Sequence, residues 1–280
     1  MRDEKKYKTM IHASRDSLFR DVVKRFVRNR AAVIGLVVLA IILFVIVFAN
    51  FLVPESLVTA YDTRAKLSPP SAAHWFGTDN LGRDIFARVL YGARITVGIG
   101  VGATLTSLII GALLASVCAL SKKADFVIMR IMDVGTCVPS ILLALVLLAI
   151  LGGSVFNMML TLTIVSVPGF TTRIRAVLLS VVEQDYVKAA RISGTSTKVL
   201  VMRHILPNAL DPIIVDATMT ISSMLLSAAG LSFIGVGVSP PSPEWGAMLN
   251  EAKEVLTSNP VQMIAPGVAI VVLVCCFNLM

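Results

Sequence analysis

At 280 residues the chain has room for one or two soluble domains, yet 56% of its residues are hydrophobic and only 15% are charged, an excess that points to lipid. The formal charge of +8 reads as a topology signal with an attraction to anionic lipid headgroups. It argues against nucleic acid as a partner, because no soluble basic domain exists to present it. Cys118, Cys137, Cys275 and Cys276 all fall in apolar runs without the paired spacing of a zinc site and read as small hydrophobes.

Residues 1–30 carry ten lysines and arginines, and short segments rich in these stay on the cytoplasmic side. A helix crossing about 30 Å of hydrocarbon needs roughly 20 apolar residues. Residues 31–53, Ala31 to Val53, supply the first span. This run is longer than the roughly 7 to 15 apolar residues of a cleaved signal peptide, so it is expected to stay in place.

Residues 54–94 form an external segment, polar and proline-rich through Pro69-Pro70. From Gly77 the run GTDNLGRDIFARVLYGAR predicts a short amphipathic helix with Thr78 or Asp79 as N-cap and Leu81, Ile85 and Val89 on one side. Asp79 with Arg83 and Asp84 with Arg88 are four apart, acid first, which supports a helix. Residues 95–280 hold the remaining five spans. Ile95 to Leu120 is the second, with Gly98 and Gly102 in GxxxG spacing for close approach to a partner or to a helix of the same chain. The uncharged run Val134 to Thr172 is nearly twice the length of one span, and Gly152-Gly153-Ser154 divides it into two. Asp211-Pro212 and Asn259-Pro260, each a capping residue before a proline, mark the starts of the fifth and sixth spans, whose uncharged runs are Ala217 to Pro243 and Val255 to Met280. In the external loop 232–259, Trp245 either sits at the headgroups or anchors a local fold. Six spans place nineteen lysines and arginines inside and six outside, with both termini cytoplasmic.

The polar interruption at residues 181–206 is cytoplasmic in this topology and predicts two short helices bent at Gly194. Val182, Tyr186 and Ala189 or Ala190 share one face of the first, Thr195 and Ser196 cap the second, and Pro207 ends it. Asp133 and Asp216 are the acids placed to act as a gate or a structural charge. Near the inner surface, structural pairing is favoured over ion coupling, Asp133 with Arg130 one turn earlier. His12, His74 and His204 have no ligand spacing between them, which argues against a metal enzyme. The nearest fragment to a phosphate-cradling loop, Gly194-Thr195-Ser196-Thr197-Lys198, lacks the second glycine and follows a helix rather than a strand.

Four segments carry a resemblance that covers nearly the whole chain: VRNRAAVIG (27–35), HWFGTDNLGRDIFARVLYGARITVG (74–98), QDYVKAARISGTSTKVLVMRHILPNALDP (184–212) and GLSFIGVGVSPPSPEWGAMLNEA (230–252). The chain resembles the inner-membrane permeases of ATP-binding-cassette importers, and among them the second permease of the dipeptide, oligopeptide and nickel group. The third segment is similar to the family's cytoplasmic coupling motif. Ala189, Ala190, Gly194, Leu206 and Pro207 match, Lys188 stands where the family has an acid, and His204 replaces a hydrophobic residue. With Tyr186 and Arg191 these are the residues that the resemblance assigns to ATPase coupling. It implies an all-α type I permease fold with six transmembrane helices, forming half of a pathway for short peptides, or for nickel in the same group. Implied partners are a homologous permease, two ATPase subunits that use ATP and magnesium, and an extracytoplasmic solute-binding protein; no cofactor is held by the chain itself. The family pattern continues past Phe277-Asn278-Leu279 with a Gly-Asp-Gly segment and a basic tail, whereas this sequence stops at Met280. An ion-driven secondary transporter is the rival reading.

Overall fold

The computed structural model describes residues 27–54, 56–59, 61–196 and 199–279. The basic run at 2–25, His12, and Thr197 and Lys198 lie outside them. The described residues form helices joined by loops, without a strand beyond an isolated bridge between Thr78 and Asp84.

Helix α1, Arg30–Leu52, is capped by the Asn29 side chain, which accepts from the backbone N–H of Ala31 at 3.2 Å and of Ala32 at 3.4 Å. It is apolar all round, as a helix in lipid is. Arg94 fastens it from the side, donating to the Val47 carbonyl at 3.1 Å and to Asn50 Oδ1 at 2.7 Å.

Helix α2 runs unbroken from Ile85 to Leu120, which corrects two expectations. There is no separate amphipathic helix from Gly77, and the second span starts ten residues before Ile95 within this one helix. Its N-cap is Asp84, whose side chain accepts from Ala87 N at 2.7 Å, and not Thr78 or Asp79. The preceding residues cannot be helical because Gly77 and Gly82 sit at φ +74° and +81°. Their backbone is tied instead to the segment before, Thr78 N to Ser68 O at 3.1 Å and Leu67 N to Asp79 O at 3.1 Å.

The long uncharged run is broken twice. Gly152, at φ +83°, makes the expected turn between α4 (Ser140–Leu151) and α5 (Val155–Val182), whose first turn Ser154 caps. A second break separates α3 (Lys122–Cys137) from α4, where the axis bends by 87°. Pro139 accounts for it: a residue before proline is pushed out of the α region, and Val138 is extended at φ −88°, ψ 128°.

Helix α6, Asp185–Ile192, begins after a break at Glu183 and Gln184, so Val181 and Val182 belong to α5 rather than to the same helix as Tyr186. After Gly194 a π-helical stretch, Leu200–Ile205, runs directly into α7, Leu206–Ile234. Pro207 therefore opens the long helix instead of ending a short one. Asp211 and Pro212 lie inside α7 and cap nothing, since a proline within a membrane helix is tolerated where neighbours re-satisfy the freed groups. Helix α8, Trp245–Ala252, lies across the same end of the molecule as loop 61–84, and α9, Val261–Leu279, follows Asn259-Pro260 as expected.

Helices α1, α2, α5, α7 and α9 are long and apolar enough to span a membrane, and the bent pair α3–α4, taken together as one broken span, brings the number among the described residues to six. The main core joins α2, α5 and α7; a second cluster joins α1, α8 and α9 to α2 and α7. The glycine face of α2 turns out divided. A Cβ at Gly111 would lie 2.8 Å from Phe170 Cβ and one at Gly102 2.6 Å from Met159 Sδ, both on α5, while Gly98 has nothing near it. Close approach within the chain thus uses Gly102 and Gly111.

Candidate functional site

Three places concentrate polar chemistry. The first is an open cavity of about 900 Å³ between the α3–α4 bend, α5 and α7. On α7 the lining residues Asp216, Thr220, Ser223 and Ser227 recur at helical spacing, and on α5 Ser166, Gly169 and Arg173 do the same. Arg173 and Asp216 are the only charged residues in the lining. Arg173 Nε lies 2.9 Å from the Asp216 carboxylate, one Nη is 3.5 Å from Thr220 Oγ1, and the guanidinium rests over the Phe170 ring at 4.9 Å. Gly169 leaves the space this requires, because a Cβ there would meet Arg173 Nη1 at 3.1 Å.

The second is the hairpin around α6, at the opposite end from loop 61–84. Val187 is buried, with Leu178, Leu200 and Ile205 in the same core cluster, so the other face must point out. Tyr186, Ala189 and Ile192 form that outward stripe, Ile192 being 87% exposed. Lys188 and Arg191 flank it and are exposed, and Ala190 is half-buried. The helix closes with paired bonds, Thr195 N to Ala190 O at 3.2 Å and Gly194 N to Arg191 O at 3.1 Å, a Schellman end that needs its C′ residue left-handed. Gly194, at φ +81°, supplies it. Leu206 and Pro207 stand apart from this stripe, at the start of α7.

The third is a buried ion network holding loop 77–84, the start of α2 and α8 together. Asp79 accepts four bonds: from Leu81 N at 2.8 Å, Arg83 N at 2.9 Å, Arg83 Nε at 2.6 Å and Arg88 Nη1 at 2.8 Å. Both arginines also reach Glu251 on α8, at 2.8 and 3.0 Å. Asp84 pairs with His74 Nδ1 at 2.8 Å instead of with Arg88. Trp245 is buried and donates from Nε1 to Val89 O at 2.9 Å, so it anchors a local fold rather than floating at headgroups. Gly92 permits the contact, since a Cβ there would fall 2.0 Å from Pro243 O.

Burial pushes the Glu251 carboxyl up to about 7, outweighing the pull of Arg83. A carboxyl raised on folding favours the folded state while it is protonated, so this contribution is full below about 4.5 and is lost as pH rises through about 7. The purified protein is therefore expected to melt at a lower temperature at pH 8 than at pH 5.5. Glu251→Gln should flatten that slope; an equally steep slope in the variant would assign it to another group.

The two acids singled out in the sequence fare differently. Asp216 is paired, with Arg173 and not with a neighbour on its own helix. Asp133 is exposed, and among the described residues it forms no ion pair with Arg130, whose guanidinium lies over Phe126 at 5.4 Å. The ring one turn earlier outcompetes the acid at i+3. Sequence reasoning missed the hydroxyl stripe, although its signal was present: 216, 220, 223 and 227 follow a helical repeat through an apolar run.

Residues 107–280 match the family model for the inner membrane component of binding-protein-dependent transport systems, and residues 17–70 match the N-terminal transmembrane domain of oligopeptide transport permease C. The chain is 38% identical to the dipeptide transport system permease protein DppC of Alkalihalophilus pseudofirmus over 94% of its own length and 86% of that protein's. It is 37% identical to the glutathione transport system permease protein GsiD of Pectobacterium atrosepticum, over 94% and 87%. Among solved structures, an inward-facing MetNI methionine ABC transporter chain superposes with a TM-score of 0.58 at 19% identity, over 68% of this chain and 91% of that one, a likeness of fold. The helical bundle, the outward hairpin and the matched segments thus agree, and the chain belongs to the family of inner-membrane components of binding-protein-dependent transport systems.

Proposed function

We propose that this chain forms half of the translocation pathway of an ATP-driven importer of short peptides. The observation that carries the reading is the hydroxyl-lined cavity between α4, α5 and α7, which offers hydrogen bonds without a net charge, as a cargo of variable side chains requires. Similarity to permeases named for a dipeptide and for glutathione supports peptides over nickel. Strains lacking the gene should lose growth on peptides as sole amino-acid source. Intact peptide uptake combined with loss of nickel or another solute would sink the assignment.

In this reading a homologous permease closes the open side of the cavity, as a heterodimer, and a solute-binding protein docks over loop 61–84 and α8. Two ATPase subunits, which bind ATP and magnesium, serve the permease pair, and one of them docks on the stripe Tyr186, Ala189 and Ile192, with Lys188, Ala190, Arg191 and Gly194 completing the coupling element and Leu206 and Pro207 passing its motion into α7. Asp216 serves in the pathway; Asp133 is a solvated charge near its inner mouth. The hairpin end then faces the cytoplasm together with both termini. A membrane-impermeant maleimide added to spheroplasts should label Ser71→Cys and not Ser193→Cys; the opposite pattern would invert the topology.

A further inference from the structure

We propose that Arg173 and Asp216 form an exchangeable ion pair that recognises the two charged ends of a peptide, Arg173 taking the terminal carboxylate and Asp216 the terminal ammonium. This rests on the peptide reading above. The pair is built unlike the structural ion pairs of the same molecule. In the network at Asp79 the arginine side chains are 0% and 1% exposed and the acids 3% and 12%, whereas Arg173 is 48% and Asp216 31% exposed, toward the cavity. Arg173 engages the carboxylate through Nε, and its nearest further bond is the 3.5 Å contact to Thr220. Most of the guanidinium donors therefore face open space, aligned by Phe170 below and admitted by Gly169. An arginine with its fork free is suited to a carboxylate.

Charge balance explains why the pair suits this cargo. In the empty pathway the two residues neutralise each other, so neither stands as a lone charge within the membrane. A peptide with free termini brings one charge of each sign, and one ion pair is replaced by two without leaving a charge unmatched. A cargo with a single charge leaves either Arg173 or Asp216 without a partner, an arrangement disfavoured for a charge within the membrane. Thr220, Ser223 and Ser227 continue along α7 from Asp216 and offer neutral partners to the amides between the termini, whatever the side chains.

The test uses the whole transporter, purified through a tag on this chain and reconstituted with its binding protein in proteoliposomes. A pool of di- to pentapeptides is offered with free termini, N-acetylated or C-amidated, and ATP-driven uptake is read by mass spectrometry. The binding protein is the same for every variant, so its own preference cancels in the ratios. Arg173→Gln is expected to raise uptake of the amidated pool relative to the free pool about tenfold, and Asp216→Asn to do the same for the acetylated pool, the scale of one charged hydrogen bond. The double variant Arg173→Gln/Asp216→Asn leaves no unpaired charge, is expected to assemble even where the single variants do not, and should discriminate among the pools least. Wild-type ratios in the double variant overturn the proposal alone. If the wild-type complex takes up no peptide in any form, the peptide reading fails and this proposal with it.

Discussion

Replacing Asp79 by alanine is expected to remove most of the folded protein from the membrane, although the residue lies far from the cavity. The carboxylate takes two backbone and two guanidinium bonds, and without it Arg83 and Arg88 are left buried with Glu251 as their only acid. Breaking a buried ion network from one side costs about 3–5 kcal/mol, a large part of a typical domain's stability. Asp84→Ala is the control: it loses a helix cap, worth about 1 kcal/mol, and the His74 pair. Membrane abundance and the melting temperature of purified protein should fall far more for Asp79→Ala than for Asp84→Ala. Equal losses would mean that the network contributes no more than a cap.

Gly194→Val is expected to leave membrane abundance near normal while co-purification of the ATPase and transport are lost. A Cβ at this position meets nothing within 4 Å, so no clash reaches the bundle. The left-handed backbone itself is the obstacle, at about 1–2 kcal/mol for an ordinary residue and more for a β-branched one. The last turn of α6 then unwinds and Ile192 loses its place in the outward stripe. Gly194→Asn should restore function, because asparagine tolerates this conformation. Normal transport by Gly194→Val would falsify the coupling role, and loss of the protein from the membrane would assign the glycine to stability.

Much of this was legible in the residues. Apolar run lengths found the spans, Gly152 marked a true turn, and the glycine at 194 ended a helix where expected. What escaped has a common cause: local spacing is blind to partners far along the chain. Asp79 and Arg83 are four apart and do pair, yet the spacing arises from a glycine-bent loop, and the partners that bury them are Arg88 and Glu251. Asp211-Pro212 carries a start signal, but α7 was already under way from Leu206, and proline inside a membrane helix does not oblige it to stop. The bend at Pro139 hid inside an apolar run where hydropathy has no contrast to offer. Arg173 and Asp216 meet across 43 residues of sequence, which no periodicity on a single helix reveals.

Gly35 on α1 sits so near α9 that a Cβ there would lie 3.1 Å from the Cys276 carbonyl, and Leu39 clusters with Leu273, Cys276 and Phe277. The first of the described helices therefore finds its second neighbour, after α2, in the last of them. At about 5–20 residues synthesised per second, the wait is on the order of ten to several tens of seconds. During that time α1 is held by α2 alone, through Arg94 at Val47 and Asn50, and its largely apolar surface suits the lipid around the rest of it. The seam between α1 and α9 closes late, and chaperones or quality-control proteases of the membrane have that interval in which to inspect an unfinished chain.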